Sequence, residues 1–446
     1  MERVTNRRTI LKGAAAAAVA AGTVAGSKRS TFAVPARVQT GPVEVTYWGS
    51  WTGDLGKAEQ EVVKRFNDSQ QDVKVNYQFQ GNYEQTAQKL TAAMAAKQTP
   101  DVSALSDVWW FKFYLNRALA PLNDFFTANK IDTSDYVESL FNEGVRDGVN
   151  YWVPFARSTP LFYYNVDAFT AAGLEGAPKK WSEFAEVAPK LVKKDGDKVT
   201  QSAFVHANGG SYVAWLFQGM AWAFGGGYSD PDFTITINQP KTVEAGEYVR
   251  KSVQDGWATI TNDSDNGPES DFYTGGAASV LASTGSLKQI TAAAGFKVGT
   301  AFLPEEVTFG CCTGGAGLAV LASAPKERQE AAFKYVAFAT SPEITTFWSQ
   351  NTGYMPVRKS AIDGKDMQDF FAKNPAYKVA VDQLPKTRPQ DSARVFIPNG
   401  DQIIGKGLEQ IIVNNMPAQQ AFDDTAKTLT EEAQPVIEAL KALQGS

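Results

Sequence analysis

The stretch of the chain that most constrains its fold is 151–169, which reads YWVPFARSTPLFYYNVDAF. Pro154 and Pro160 cannot donate backbone hydrogen bonds to a sheet, so they predict strand edges. Leu161–Tyr164 is rich in aromatic residues that suit a buried strand, and Asn165 can cap a helix that follows it. We therefore interpret the stretch as a place where the chain leaves one lobe and enters another. A single strand of one large core remains the alternative at this point.

Predicted strands and helices alternate ahead of this stretch. Val43–Trp48 and Val73–Phe79 have the pattern of strands, Tyr83–Ala96 that of a helix, and Asp101–Leu105 that of a third strand. A chain of 446 residues exceeds what one hydrophobic core usually spans, so two lobes are expected. The sequence therefore predicts an α/β fold in which each lobe is a mostly parallel sheet with flanking helices. Ligands of such sheets bind at the carboxyl ends of the strands.

Residues 1–36 have the features of an export signal. Arg7 and Arg8 form a twin-arginine pattern, an alanine-rich apolar run follows, and AVPA before Arg37 is a cleavage site. The apolar run is too short for a convincing membrane span, although an uncleaved anchor stays an alternative. No cysteine follows the run to carry a lipid. We expect the protein to be exported and to reside in the periplasm or at the cell envelope.

Charge and composition exclude several classes of function. The first 36 residues carry six Lys and Arg and one Glu, so the net charge of −5 for the whole chain becomes −10 for the remainder. A chain this acidic binds nucleic acids and anionic membranes poorly. No Walker A motif is present, so any ATP hydrolysis belongs to a partner. The adjacent Cys311 and Cys312 are expected to be packed thiols, and with His206 as the only histidine a zinc site is improbable.

The sequence offers no clear catalytic device. A Ser-His-Asp arrangement would have to use His206, which has no G-x-S-x-G motif near it. Paired carboxylates, as in glycosidases, depend on spatial proximity and stay open. We therefore expect a binding protein without cofactor or metal, with a secreted hydrolase as the less favoured reading.

Several polar and aromatic residues stand where predicted strands end. Tyr83 begins the helix after the second strand, and Asp107 follows the third, where a carboxylate can accept hydrogen bonds from vicinal hydroxyls or simply cap a helix. Tyr212 and Trp215 share one face of an aromatic helix, which is either core or the wall of a cleft that could take a quaternary ammonium. Ser283 precedes a helix, where it either caps the helix or joins a phosphate site.

Three later residues complete the candidate set. Gly315 lies in a glycine-rich run that allows close backbone approach to an anionic oxygen. Tyr354 lies beside a further predicted crossing between the lobes. Arg394 can bind phosphate through two nitrogens, although an ordinary surface position is the competing interpretation.

The order of these motifs resembles that of the extracytoplasmic solute-binding proteins of ABC importers, family 1. The motifs are VPFARSTPLFYYN, PKKWSEFAEVAPKL, STGSLKQI, CTGGAGLAV and QNTGYMPVRKSA, and the resemblance spans about Val43 to Thr430. Within the family, the branch that binds glycerol-3-phosphate and glycerophosphodiesters such as glycerophosphocholine is the most similar.

The resemblance implies lobe boundaries and partners. It implies a first lobe of 37–155 plus 310–356 and a second lobe of 156–309 plus 357–446, with the ligand between them. It also implies delivery of the ligand to permease subunits that work with an ATPase, and a monomeric binding protein.

The resemblance also implies roles for the candidate residues. Asp107 and Tyr83 would hold the glycerol and Trp215 would pack on it, whereas Ser283, Gly315, Tyr354 and Arg394 would hold the phosphate. Tyr212 occupies a position that varies among relatives. An oligosaccharide such as maltose or trehalose is the alternative ligand, with Asp107, Trp215 and Trp222 as its binding surfaces.

Overall fold

The computed structural model describes residues 41–209, 212–261 and 267–444. The predicted export signal and its cleavage site lie outside the described residues. The strands, in chain order, are β1 (Val43–Gly49), β2 (Val73–Phe79), β3 (Val102–Ser106), β4 (Val145–Arg146), β5 (Val149–Asn150), β6 (Val153–Ser158), β7 (Pro160–Asn165), β8 (Lys193–Asp195), β9 (Lys198–Gln201), β10 (Phe204–His206), β11 (Ala258–Ile260), β12 (Ser279–Ser283), β13 (Val298–Ala301) and β14 (Gly314–Val320).

Helices follow most of these strands. The α-helices are α1 (Gly53–Ser69), α2 (Tyr83–Ala96), α3 (Trp110–Leu115), α4 (Asn123–Ala128), α5 (Glu138–Phe141), α6 (Val166–Ala171), α7 (Trp181–Val187), α8 (Val213–Ala223), α9 (Pro240–Gln254), α10 (Glu269–Tyr273), α11 (Leu287–Ala293), α12 (Lys326–Ala339), α13 (Pro342–Asn351), α14 (Lys359–Asp363), α15 (Lys365–Lys373), α16 (Pro375–Gln383), α17 (Ser392–Val395), α18 (Gly400–Ile412) and α19 (Ala418–Gln444).

Two five-stranded sheets organise the described part of the chain. The first has the strand order β2-β1-β3-β14-β6 and the second the order β11-β10-β12-β7-β13. In the first sheet β1 runs parallel to β2 and β3, and β14 runs antiparallel to β3 and β6. In the second sheet β10 runs parallel to β11 and β12, and β7 runs antiparallel to β12 and β13. One strand in each sheet is therefore reversed, and the predicted α/β fold with two mostly parallel sheets is confirmed.

The chain passes from the first sheet to the second within a single residue. β6 ends at Ser158, β7 begins at Pro160, and only Thr159 lies between them. Pro154 is in β6, an edge strand, and Pro160 is the first residue of β7, which are the positions that a residue without a backbone N–H tolerates. The chain returns to the first sheet between β13 and β14. The predicted boundary at 155/156 falls within β6, a few residues before the passage at Thr159, and that at 309/310 lies between β13 and β14. The lobe boundaries stay predictions.

Hydrophobic clusters hold helices against both sheets. One packs the side chains of α1, α12 and α13 against the first sheet, includes Val45, Tyr47 and Trp348, and continues into side chains of the second sheet. Another packs α8, α9, α18 and α19 against the second sheet, and it includes Trp222 and Phe422. Buried side chains therefore hold in place the strands whose ends carry the candidate residues.

The two cysteines and the single histidine are buried in the fold. Cys311 and Cys312 are both buried free thiols, as predicted. His206 is buried and hydrogen-bonded to Ser252 at 2.8 Å. Within the described ranges, no group of three or more potential ligand side chains could hold a metal ion, and no helix is long and apolar enough to cross a membrane.

Candidate functional site

The predicted site residues lie at the edges of the two sheets where the parallel strands end. β2 leads to Tyr83 and β3 leads to Asp107 in the first sheet. Because β14 is antiparallel to β3, its first residues lie at the same edge, and the Asp107 N–H donates to the Gly315 carbonyl at 3.0 Å. In the second sheet β12 ends at Ser283, and the segment after β10 leads to Tyr212. The topology thus gathers residues that are far apart in the sequence.

Asp107 and Arg394 form the polar centre of this region. Arg394 Nη1 lies 3.5 Å from Asp107 Oδ2, and its Nε donates to Asp401 Oδ1 at 2.7 Å. Gln390 donates to the same Asp107 oxygen at 2.6 Å and accepts a hydrogen bond from Arg394. Burial lowers the pKa of Arg394, but the carboxylates of Asp401 and Asp107 outweigh burial and leave that pKa above its ordinary value. The guanidinium is therefore a permanent buried cation rather than the surface residue that composition alone allows.

Two tyrosines stand beside this pair on an aromatic wall. Tyr83 meets Trp51 edge to face with ring centroids 5.7 Å apart, and Tyr354 stacks on Trp348 at 5.8 Å. Burial raises the pKa of both hydroxyls, and Tyr354 raises that of Tyr83 further, so both are neutral phenols. The Tyr83 hydroxyl makes no hydrogen bond within the described residues. It is a buried donor available to a ligand hydroxyl.

Backbone groups of Gly315 and of the Ser283 turn complete the centre. Gly315 has φ +104°, and a Cβ atom there would lie 2.1 Å from the carbonyl oxygen of Ala156, so only glycine fits. Ser283 Oγ accepts the N–H of Gly285 at 3.0 Å, which is a capping hydrogen bond. Gly285 also lies against the ring of Tyr354, where a Cβ atom would come within 2.8 Å. Ser283 thus caps a turn whose Gly285 packs against the tyrosine.

Trp215 and Tyr212 line the region from α8. The indole Nε1 of Trp215 donates to the Thr313 carbonyl at 3.0 Å, and its ring covers Gly314. Tyr212 meets Trp215 at 68° with centroids 5.9 Å apart. Direct contacts thus link Asp107 to Gly315 and Arg394, and Tyr212 to Trp215, and the candidate residues draw on both sheets. Their roles in ligand binding stay predictions.

Arg157 and Glu143 are charged neighbours that the sequence analysis did not single out. Arg157 is fully buried, its Nη2 pairs with Glu143 Oε2, and its Nε and Nη1 have no hydrogen-bond partner in the described residues. Glu143 also accepts the Thr313 hydroxyl at 2.6 Å, which connects the pair to the backbone beside Trp215. Burial raises the pKa of Glu143, Arg157 opposes that rise, and Asp107 adds to it. An arginine inside the apolar run VPFARST was the available signal, because a charge in a buried strand needs a partner.

Trp222, a binding surface in the oligosaccharide alternative, is covered by a later segment of the chain. Its side chain is 1% exposed, its Nε1 donates to Asp391 Oδ2 at 3.0 Å, and the guanidinium of Arg388 lies 3.9 Å from its ring centre. This packing gives Trp222 a structural role. Its part in the oligosaccharide alternative stays a prediction.

The chain is similar in sequence and structure to known solute-binding proteins. Residues 49–346 match the family described as bacterial extracellular solute-binding protein. The sn-glycerol-3-phosphate-binding periplasmic protein UgpB of Escherichia coli K12 is 29% identical over 399 residues, or 85% of this chain and 90% of that protein. The crystal structure of UgpB from Mycobacterium tuberculosis in complex with glycerophosphocholine superimposes with a TM-score of 0.83, and the two sequences are 43% identical. The match covers 89% of this chain and 100% of that one.

More distant structures share the fold. The GacH receptor of Streptomyces glaucescens, solved unliganded and with acarbose, has a TM-score of 0.74 at 20% identity, and the match covers 88% of this chain and 98% of that one.

Proposed function

Because the chain belongs to the bacterial extracellular solute-binding protein family, we propose that it captures a glycerophosphodiester such as glycerophosphocholine, or glycerol-3-phosphate, and delivers it to a membrane permease. Similarity to proteins named for glycerol-3-phosphate and crystallised with glycerophosphocholine supports this choice of ligand.

The adjacency of Asp107 and Arg394 is the observation that carries the proposal. A carboxylate accepts hydrogen bonds from a pair of hydroxyls, and a guanidinium binds a phosphate, often through two nitrogens. The 3.5 Å between Asp107 Oδ2 and Arg394 Nη1 brings these two functions side by side. In a glycerophosphate the diol and the phosphate are joined by a short carbon chain, so one ligand can reach both.

The surrounding groups suit the same ligand. The hydroxyl of Tyr83 is a buried donor without a partner among the described residues, and it faces the glycerol end in this proposal. Tyr354, the Ser283 turn and the backbone at Gly315 supply donors for the phosphate end. Trp215 provides an apolar surface for the carbon chain.

The proposed setting is that of an importer. We expect export to the periplasm or cell envelope, as the relatives' name indicates for them, and a monomer that meets permease subunits driven by a separate ATPase. The family is one of solute-binding proteins rather than enzymes, so we expect capture and release of an unchanged ligand.

Titration calorimetry of residues 37–446 with glycerophosphocholine tests the proposal. We expect saturable binding by the native protein and its loss in Arg394→Ala. Arg358→Ala is a matched control, because Arg358 is also buried and pairs with a carboxylate, Asp135, at 2.9 Å outside the site. The control variant should bind normally. Binding of maltose or trehalose without binding of glycerophosphocholine would contradict the proposed ligand and leave the family assignment intact.

A further inference from the structure

A buried carboxylate at the edge of the second sheet lies outside the set described so far. Three neighbouring parallel strands, β11, β10 and β12, lead at their carboxyl ends to Glu269, Tyr212 and Ser283. Glu269 is the first residue of α10 and is 5% exposed. The topology therefore places it at the same edge as the proposed ligand site.

Glu269 is linked by hydrogen bonds to two segments of that site. Its Oε1 accepts the hydroxyl of Tyr212 and that of Ser286, the latter at 2.9 Å. Ser286 belongs to the turn Thr284–Ser286, which Ser283 caps. The carboxylate is thus held between Tyr212, which precedes α8, and the turn proposed to meet the phosphate.

The second oxygen of Glu269 has no partner among the described residues. Oε2 makes no hydrogen bond in the described part of the chain, and no lysine or arginine there forms an ion pair with this carboxylate. Burial raises the pKa of Glu269, and the hydrogen bonds from Tyr212 and Ser286 only partly oppose that rise. Glu59 is also buried without a cation, but each of its oxygens accepts a tyrosine hydroxyl, whereas Glu269 leaves one buried oxygen unsatisfied within the described residues. That unsatisfied oxygen points to a group supplied from outside the chain.

The aromatic rings beside Glu269 favour a cation. Tyr212 hydrogen-bonds to Glu269 and meets Trp215 edge to face. Aromatic rings next to a carboxylate are the combination that binds quaternary ammonium groups. Building on the proposed function, we propose that Glu269, with Tyr212 and Trp215, forms a subsite for a positively charged head group esterified to the ligand phosphate. Ser283 and Ser286 lie in one turn, so phosphate and head group are bound side by side.

The substitution Glu269→Gln tests the charge while keeping an oxygen that can accept the hydrogen bonds of Tyr212 and Ser286. Affinity for glycerophosphocholine should fall about tenfold or more, because a buried charge pair loses one partner. Affinity for glycerol-3-phosphate, which has no cationic head group, should change less than about twofold. Glu59→Gln is the matched control, since Glu59 is also buried and accepts two tyrosine hydroxyls, and it should change neither affinity.

The outcomes separate this inference from the proposed function. Equal loss of affinity for both ligands, or no loss for either, would overturn the head-group subsite while leaving the proposed function standing. If the native protein bound neither phosphate ester, the proposed function would fail and the subsite with it. Tyr212→Leu is a second test variant, to be measured if Glu269→Gln folds poorly. It should weaken binding of glycerophosphocholine more than that of glycerol-3-phosphate, and an equal effect on the two would count against the subsite.

Discussion

Replacing Gly315 with alanine should damage both the fold and the site. Gly315 has φ +104°, and its added Cβ would lie 2.1 Å from the carbonyl oxygen of Ala156 in the neighbouring strand β6. The contacted atom belongs to the backbone, so rotation of a side chain cannot relieve the clash. β14 and β6 would have to move apart at the point where the Gly315 carbonyl also receives the N–H of Asp107.

The expected loss in the free energy of unfolding has two contributions. A non-glycine residue at positive φ costs about 1–2 kcal/mol. Forcing an extra methyl group into a packed position adds about 1–3 kcal/mol. We therefore expect Gly315→Ala to lower the free energy of unfolding by about 2–5 kcal/mol. Gly225→Ala is a matched control, because Gly225 has φ +89° and no heavy atom within 4 Å of the added Cβ, so only the first contribution applies.

Urea denaturation followed by tryptophan fluorescence measures the difference, and calorimetric titration of each variant with glycerophosphocholine measures the effect on the site. Gly315→Ala should lose clearly more stability than Gly225→Ala and should bind more weakly, since Asp107 shifts with the strand. Equal losses of stability in the two variants would refute the argument from the close backbone contact.

Three further expectations concern the site and its titrating groups. Asp107→Asn should weaken binding of glycerophosphocholine by about tenfold in calorimetry, because a charged acceptor of hydroxyls is lost, and an unchanged affinity would remove Asp107 from the site. Burial lowers the pKa of His206 to about 3, so below pH 6.5 the unfolded chain takes up a proton that the folded chain does not. The free energy of unfolding therefore falls as the pH drops, by about 2 kcal/mol at pH 5. Urea denaturation at several pH values should show that His206→Gln removes this contribution. Burial raises the pKa of Glu59 to about 8, so the folded protein keeps a proton that the unfolded chain releases above about pH 4.5. This carboxyl therefore lowers the free energy of unfolding progressively as the pH rises to 8. The stability of Glu59→Gln should depend less on pH over that range, and an identical pH profile would show that Glu59 is ionised in the fold.

Features specified by short stretches of sequence were predicted well. The predicted helix Tyr83–Ala96 has the bounds of α2, because Asn82 and Gln85 form a capping box at its start and Lys97 adopts a left-handed conformation at its end. The predicted strand Asp101–Leu105 is instead Val102–Ser106, since the limits of a strand depend on pairing with its neighbours, here β1 and β14. Local signals fix the ends of helices, whereas distant partners fix the ends of strands.

The sequence indicated individual candidate residues of the site but not how they pair. Arg394 and Asp107 are far apart in the sequence, and no local pattern announces that one neutralises the other. The same holds for Trp222, whose covering residues come from the segment around Asp391. Arg157 was missed because its partner Glu143 lies in a different element. Sequence periodicity tells which face of an element is apolar, but not which distant segment covers it.

The single residue between β6 and β7 limits how the two sheets can move. Thr159 is fully buried, its carbonyl accepts the N–H of Thr284 at 3.1 Å, and its hydroxyl accepts a hydrogen bond from Gln383 at 3.2 Å. One residue keeps the Cα atoms of its two neighbours within about 7 Å of each other. We therefore expect the sheets to swing about this joint rather than slide past each other. Arg157 is two residues from the joint and would move little during such a swing, whereas groups further from the joint would move along an arc. A ligand between the sheets would then meet one side that hardly moves and an outer side that closes on it.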